Sequence, residues 1–192
     1  ATFAIPENSG IGTSAGIVTA SDVDTGDSIH FSIAAGNVGN TFGIHSVTGE
    51  IIVINPALLD HESTSPFNLT VTATDTGGLS ASADVIVSIT DINEAPTIDS
   101  ATFSIPENSG IGTSVGTVTA SDVDAGDTVS FAITAGNIGN GFGIHSVTSE
   151  IIVINPAVLD FETTPQFNLT VTATDSGGLV ASTTVAVLQT AV

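Results

Sequence analysis

Apolar residues in this chain recur with the two-residue period of β-strands and nowhere with the 3.6-residue period of an amphipathic helix. The plainest case is 67–74, where Phe67, Leu69, Val71 and Ala73 alternate with Asn68, Thr70, Thr72 and Thr74. Alternate side chains of a strand point to opposite faces, so the first set faces a core and the second faces solvent. Val85, Val87 and Ile89 mark another such strand over 80–90. Shorter runs rich in β-branched residues, bounded by Gly, Pro, Asn or Asp, predict strands at 2–5, 13–20, 28–34, 42–46 and 50–54. Pro56-Ala57-Leu58-Leu59 has room for one helical turn at most. Seven short strands separated by turn signals are the pattern of an all-β sandwich.

The pattern then starts again. Residues 1–92 align with 101–192 without a gap, and 66 of the 92 positions are identical. A fixed period of this kind sets the architecture before any single motif does. It predicts one domain over 1–90, a second over 101–192, and a joining segment over 91–100. The joint carries Asp91, Asn93 and Glu94 and then Pro96, which stiffens the exit. Oxygen donors gathered at a joint predict that something divalent holds it. The pattern is already under way at Ala1, so we expect an excerpt from a longer repeat array.

Composition narrows the partners. The chain has 20 Asp and Glu against no Lys or Arg, a net charge of −20. Nucleic acids and anionic membranes both call for basic patches, so neither is an expected partner. No apolar run of the length that spans a bilayer is present. There is no Cys, hence no disulfide. The acids also sit in turn-like segments while the strands carry almost none. Glu7, Asp22, Asp24, Asp27, Asp60, Glu62 and Asp75 recur as Glu107, Asp122, Asp124, Asp127, Asp160, Glu162 and Asp175.

Strand parity groups these turns. If successive strands alternate in direction, the turns near Glu7 and Asp60–Glu62 and the end of the last strand share one pole. The turns at Asp22–Asp24 and at Asp75 share the other. In tandem, Glu7, Asp60, Glu62, Asp91, Asn93 and Glu94 are then expected to meet Asp122, Asp124 and Asp175. At an effective dielectric of ~20, like charges ~4 Å apart repel by about 4 kcal/mol per pair, so such a cluster needs cations. All-oxygen donors on flexible turns suit Ca²⁺ rather than Zn²⁺.

Six short motifs, most of them present in both copies and one at the joint, resemble the extracellular cadherin repeat. They are Pro-Glu-Asn at 6–8, Asp-x-Asp at 22–24, Phe-x-Ile-x-x-x-x-Gly at 42–49, Leu-Asp-x-Glu at 59–62, Ala-x-Asp-x-Gly at 73–77, and the linker. The resemblance implies two tandem seven-stranded Greek-key β-sandwiches with up to three Ca²⁺ between them. Carried over by position, it implies ligands from Glu7, Asp60, Glu62, Asp91, the Ile92 carbonyl, Asn93, Glu94, the Ala95 carbonyl, Asp122, Asp124 and Asp175. It also implies incomplete sets at the outer poles: Asp22, Asp24 and Asp75 in the first copy, and Glu107, Asp160 and Glu162 in the second. The family's linker usually reads Asp-x-Asn-Asp-Asn-x-Pro, one residue longer than the segment here. His45 and His145 stand where the family usually has Asp, and they are expected to be turn residues that pack locally.

Catalytic signals are few. No Gly-x-Ser-x-Gly turn, phosphate loop or zinc spacing occurs. Paired carboxylates would suit a glycosidase, but strand parity puts them at domain poles, and Phe is the only aromatic. Asp-Val-Asp-Thr-Gly-Asp at 22–27 lacks the twelfth-position Glu and the flanking helices of an EF-hand. An enzyme is not expected. The expected function is a calcium-stiffened spacer or adhesion module of an extracellular or cell-surface protein, with neighbouring repeats of the same or another chain as partners. The absence of Lys and Arg resembles large bacterial or archaeal surface adhesins. The alternatives are a filament or surface-layer subunit joined head to tail, and a module binding a glycan or another protein. Asn68-Leu69-Thr70 and Asn168-Leu169-Thr170 are outward-facing glycosylation sequons.

Overall fold

The structure, a computed structural model, describes residues 1–24, 26–64 and 66–192. Thr25, inside the acidic run at 22–27, lies outside the described residues. The chain forms two compact units, Ala1–Ile92 and Asn93–Val192.

Among its described residues, unit 1 contains seven strands: β1 (Thr2–Pro6), β2 (Ser14–Ile17), β3 (His30–Ala35), β4 (Phe42–Ile44), β5 (Glu50–Val53), β6 (Phe67–Thr74) and β7 (Ser80–Thr90). They make a four-stranded sheet in the order β1-β7-β6-β3 and a three-stranded sheet in the order β2-β5-β4. The first strand pairs parallel with the last, Thr2 opposite Ile86 and Pro6 opposite Thr90. The other pairings are antiparallel. The inward residues of both sheets form one core around Ile5, Phe42, Ile51, Val53, Leu69 and Val87. Phe42 and Phe67 meet edge to face with centroids 5.0 Å apart, one of the two arrangements the ring quadrupole favours.

The alternation predicted for 67–74 and 80–90 is the observed one: Phe67, Leu69, Val71, Val85, Val87 and Ile89 are all buried. Strand β2 is shorter than the run that predicted it, and its register slips between Ser14 and Gly16 against β5. A Cβ at Gly16 would stand 2.3 Å from the Phe3 ring, so the missing side chain admits that ring to the core edge. Pro56–Leu58 forms a single 3₁₀ turn, entered through Asn55, whose side chain accepts from the Ala57 N–H.

Unit 2 repeats the plan: β9 (Ala101–Pro106), β10 (Ser114–Thr117), β12 (Ser130–Ala135), β13 (Phe142–Ile144), β14 (Glu150–Val153), β15 (Gln166–Thr174) and β16 (Val180–Thr190). Its sheets run β12-β15-β16-β9 and β10-β14-β13. It adds a feature the sequence pattern did not predict, a two-stranded ribbon of β8 (Thr97–Ile98) and β11 (Ala120–Ser121). Gln189 takes the buried place of Ile89. Its amide donates to the carbonyls of Asp160 and Thr164, which fastens the loop before β15 to the end of β16.

Candidate metal centres

The sandwich delivers acids to its poles because strands end there and turns need Asx and Glu acceptors. At the C-terminal pole of unit 1, Glu7 follows directly on β1 and is only 2% exposed. One carboxylate oxygen, Oε1, accepts the Ile92 N–H at 2.7 Å, and the other, Oε2, accepts the His61 N–H at 2.8 Å. Glu7 thus ties the start of the unit to its last residue and to the 59–64 loop. Oxygens of Glu7, Glu62 and Asp91 come within 4.8 Å of one another. Asp60 points into its own turn and accepts the Ser63 N–H at 2.9 Å. The Ser63 hydroxyl and N–H hold its carboxyl below the ordinary value of 3.8. His61 Nδ1 lies 3.1 Å from Glu62 Oε1, a contact that raises the imidazole above its usual 6.5.

The N-terminal pole of unit 2 is built from the linker and two turns. Asn93 Nδ2 donates to Asp175 Oδ2 at 2.9 Å, and the Glu94 N–H donates to Asp124 Oδ2 at 2.8 Å. The Asp124 N–H closes an Asx turn on Asp122 at 3.0 Å. Burial works against ionisation of Asp175, yet its hydrogen bonds from Asn93 and from the backbone of Leu179, Gly178 and Gly177 leave its pKa lowered. A Cβ at Gly177 would lie 2.2 Å from Asn93 Oδ1, which gives the glycine of the Ala-x-Asp-x-Gly motif a physical reason. Ile92 joins through its N–H, Glu94 is half-buried, and Ala95 is exposed.

Asp122, Asp124 and Asp127 present oxygens within 4.8 Å of one another. Asp122 Oδ2, Asp124 Oδ1 and Asp127 Oδ2 are buried and accept no hydrogen bond. Buried carboxylate oxygens of this kind are costly unless a cation or donor meets them. With no Lys or Arg in the chain, the fitting counter-charge is a hard, oxygen-seeking cation. Asp127 was absent from the ligands expected from sequence, although its recurrence with Asp27 was a visible signal. Its other oxygen, Oδ1, accepts the Ser176 hydroxyl at 2.6 Å.

The outer poles follow the same plan. Asp22, Asp27 and Asp75 gather at the N-terminal pole of unit 1, and Asp24 lies beside them with its N–H on Asp22. At the C-terminal pole of unit 2, Glu107, Asp160 and Glu162 gather. The N–H groups of Phe161 and Val192 lower the Glu107 carboxyl. Neither His45 nor His145 belongs to a cluster found among the described residues. Each Nδ1 accepts two backbone N–H groups of its own turn, from Val47 and Thr48 and from Val147 and Thr148.

Comparison with known proteins agrees on the fold. The family model for the cadherin domain matches residues 1–90 and again 101–192. The protocadherin-like wing polarity protein stan of Drosophila melanogaster is 37% identical over 177 residues, which are 86% of this chain and 5% of that protein. Human protocadherin Fat 4 is 36% identical over 180 residues, 89% of this chain and 4% of that one. The chain therefore spans about one-twentieth of the length of these relatives. Among solved structures, mouse cadherin-23 EC22-24 superposes with a TM-score of 0.76 at 28% identity, covering 100% of this chain and 62% of that one. Human protocadherin-24 EC1-2 superposes at 0.80 with 22% identity, covering 98% and 93%.

Proposed function

The chain belongs to the cadherin family, and from that premise we propose that it is a calcium-stiffened pair of repeats in a cell-surface protein, serving as a spacer or adhesion module. It works outside the cell, with neighbouring repeats of the same or another chain as its partners, and it performs no catalysis. The observation that carries the calcium reading is the set of buried, partnerless oxygens on Asp122, Asp124 and Asp127. Asn93 and Glu94 complete that group from the linker side. Glu7, Glu62 and Asp91, with Asp60 in the adjoining turn, form the corresponding group at the other end of the Ile92–Asn93 peptide.

Calcium supplies the charge neutralisation that this chain's own side chains lack. Ions shared by the two groups would fix the joint, since neither group could then move without giving up ligands. The acidic turns are otherwise self-repelling, and the unfolded chain has no comparable arrangement for the ion to favour. An ion at 100 times its Kd stabilises by about 2.7 kcal/mol per site. For domains of this size that is worth roughly 10 °C or more. Mg²⁺ dehydrates reluctantly and demands near-octahedral geometry, so it should do much less. Thermal melts in chelator, Ca²⁺, Mg²⁺ and NaCl test the proposal. A Ca²⁺ melt within about 2 °C of the chelator melt would refute it.

A further inference from the structure

His61 sets a nitrogen donor among carboxylates, and unit 2 has no equivalent. It follows Asp60 in the loop before β6, and Phe161 stands at its place in the second copy. Its Nδ1 lies 3.1 Å from Glu62 Oε1. With Asp91 these residues make a group whose ligand atoms all fall within 4.8 Å of one another. Among the described residues, His61 is the one histidine that belongs to such a group. His45 and His145 commit Nδ1 to the N–H groups of their own turns.

The group is held in place by buried Glu7. The N–H groups of His61 and Ile92 donate to its two oxygens at 2.8 and 2.7 Å. One carboxylate therefore fixes the backbone of His61 and that of the residue next to Asp91, and so joins a loop to the end of β7. Support of this kind keeps a ligand set in register. On the open side, His61, Glu62, Ser63 and Ser88 help to line a cavity of about 300 Å³. At the equivalent pole of unit 2, Glu107, Asp160 and Glu162 offer oxygen only, and Ala191 stands where unit 1 has Asp91.

We propose that His61, Glu62 and Asp91 form a site for a borderline transition-metal cation of the Zn²⁺ type. Imidazole suits such ions, whereas Ca²⁺ takes oxygen ligands. Zn–N and Zn–O bonds of about 2.0–2.2 Å set tetrahedral ligands roughly 3.3–3.6 Å apart. The 3.1 Å between His61 Nδ1 and Glu62 Oε1 is close to that bite, so the ion enters where a proton otherwise joins the two atoms. Asp91 supplies the third ligand, and the fourth position is left to solvent. Two ligands adjacent in sequence and a third far along the chain match no zinc-spacing motif, so the pattern of residues did not announce the site. Glu62 and Asp91 also serve the calcium proposal, but the imidazole does not. The site goes beyond that reading and stands without it.

The probe is Zn²⁺, titrated into the 192-residue chain in buffer free of calcium and chelator, so that this test and the calcium melts can fail separately. Imidazole ¹⁵N spectra should show the His61 ring shifting first, ahead of those of His30, His45 and His145. The affinity of the tightest site is read by competition with a chromophoric zinc indicator. His61→Phe should weaken it at least about tenfold, since even partners one layer behind a metal ligand are worth about 10–100-fold. This variant takes the residue of unit 2, where the Phe161 N–H still donates to Glu107 at 3.0 Å, so the backbone tie to Glu7 is kept. His30→Ser, which likewise takes the residue of unit 2, should leave the affinity unchanged. No His61 ring shift by about 1 mM Zn²⁺, an equal response from all four rings, or a His61→Phe affinity within about twofold of the parent would each overturn the proposal.

Discussion

Replacing Glu7 by Gln separates the two jobs that this carboxylate holds. In the absence of metal, Glu7 is buried and each oxygen accepts one backbone N–H, from Ile92 at 2.7 Å and from His61 at 2.8 Å. Hydrogen bonds to a charged acceptor contribute about 1.5–3 kcal/mol each, and a buried donor left unmet costs about 1–3 kcal/mol. A glutamine offers one carbonyl oxygen and one NH₂. It can satisfy either N–H, and its own NH₂ then faces the other. The structure therefore sets the cost near 3 kcal/mol, before any calcium is considered. For a domain of this size each kcal/mol shifts the melting temperature by about 4–8 °C, so Glu7→Gln should melt roughly 12–24 °C below the parent. The assay is a melt followed by circular dichroism with chelator present throughout. A fall of less than about 2 °C would refute the reasoning and leave Glu7 as a metal ligand only. Glu107→Gln is the internal comparison, with a smaller expected fall, because Glu107 is half-buried rather than buried.

The acid arm of stability should include Asp60. Its folded pKa is lowered, so its contribution is fully present above the ordinary value of 3.8 and is lost as pH falls through the folded value. An NMR titration in chelator should place the Asp60 carboxyl below 3.8, and Ser63→Ala should move it up; an unmoved midpoint counts against the assigned cause. Gly36→Ala should destabilise unit 1 by about 3 kcal/mol or more, because φ is +79° and the added Cβ would fall 1.8 Å from the Asn68 carbonyl oxygen. Gly10→Ala has open space and serves as the control in the same urea titration; equal midpoints for the two variants would disprove the clash.

The long strands were legible because each carries its own period. Phe67 to Ala73 and Val85 to Ile89 announce a face without help from any other part of the chain. The ribbon of Thr97–Ile98 with Ala120–Ser121 was not legible, since two-residue strands have no period and exist only through each other. Register was equally silent at Ser14–Gly16, where nothing in the local pattern marks the slip. Among the acids, recurrence pointed to the turns whose carboxylates gather in the structure, but recurrence does not distinguish a buried acceptor from an exposed one. Glu7 was expected as a ligand alone, and its two backbone hydrogen bonds come from residues 54 and 85 positions away. Gln189 fell outside the expectation for a different reason. A single amide at the place of an isoleucine reads as a break in the core pattern until the carbonyls of Asp160 and Thr164 are seen beside it.

The parallel pairing of the first strand with the last decides how a unit responds to being pulled. In unit 1, Thr2 to Pro6 lie beside Ile86 to Thr90, and in unit 2, Ala101 to Pro106 lie beside Val185 to Thr190. The chain enters on the first of these strands and leaves on the second. Tension between entry and exit therefore drags two bonded neighbours along their own length in opposite directions. Every hydrogen bond of the ladder is loaded at once and sideways, so the strands must slide together or not at all. A hairpin pulled from its open end would instead surrender its bonds one at a time. Each sandwich is thus a shear joint, wired so that the load falls on its first and last strands together.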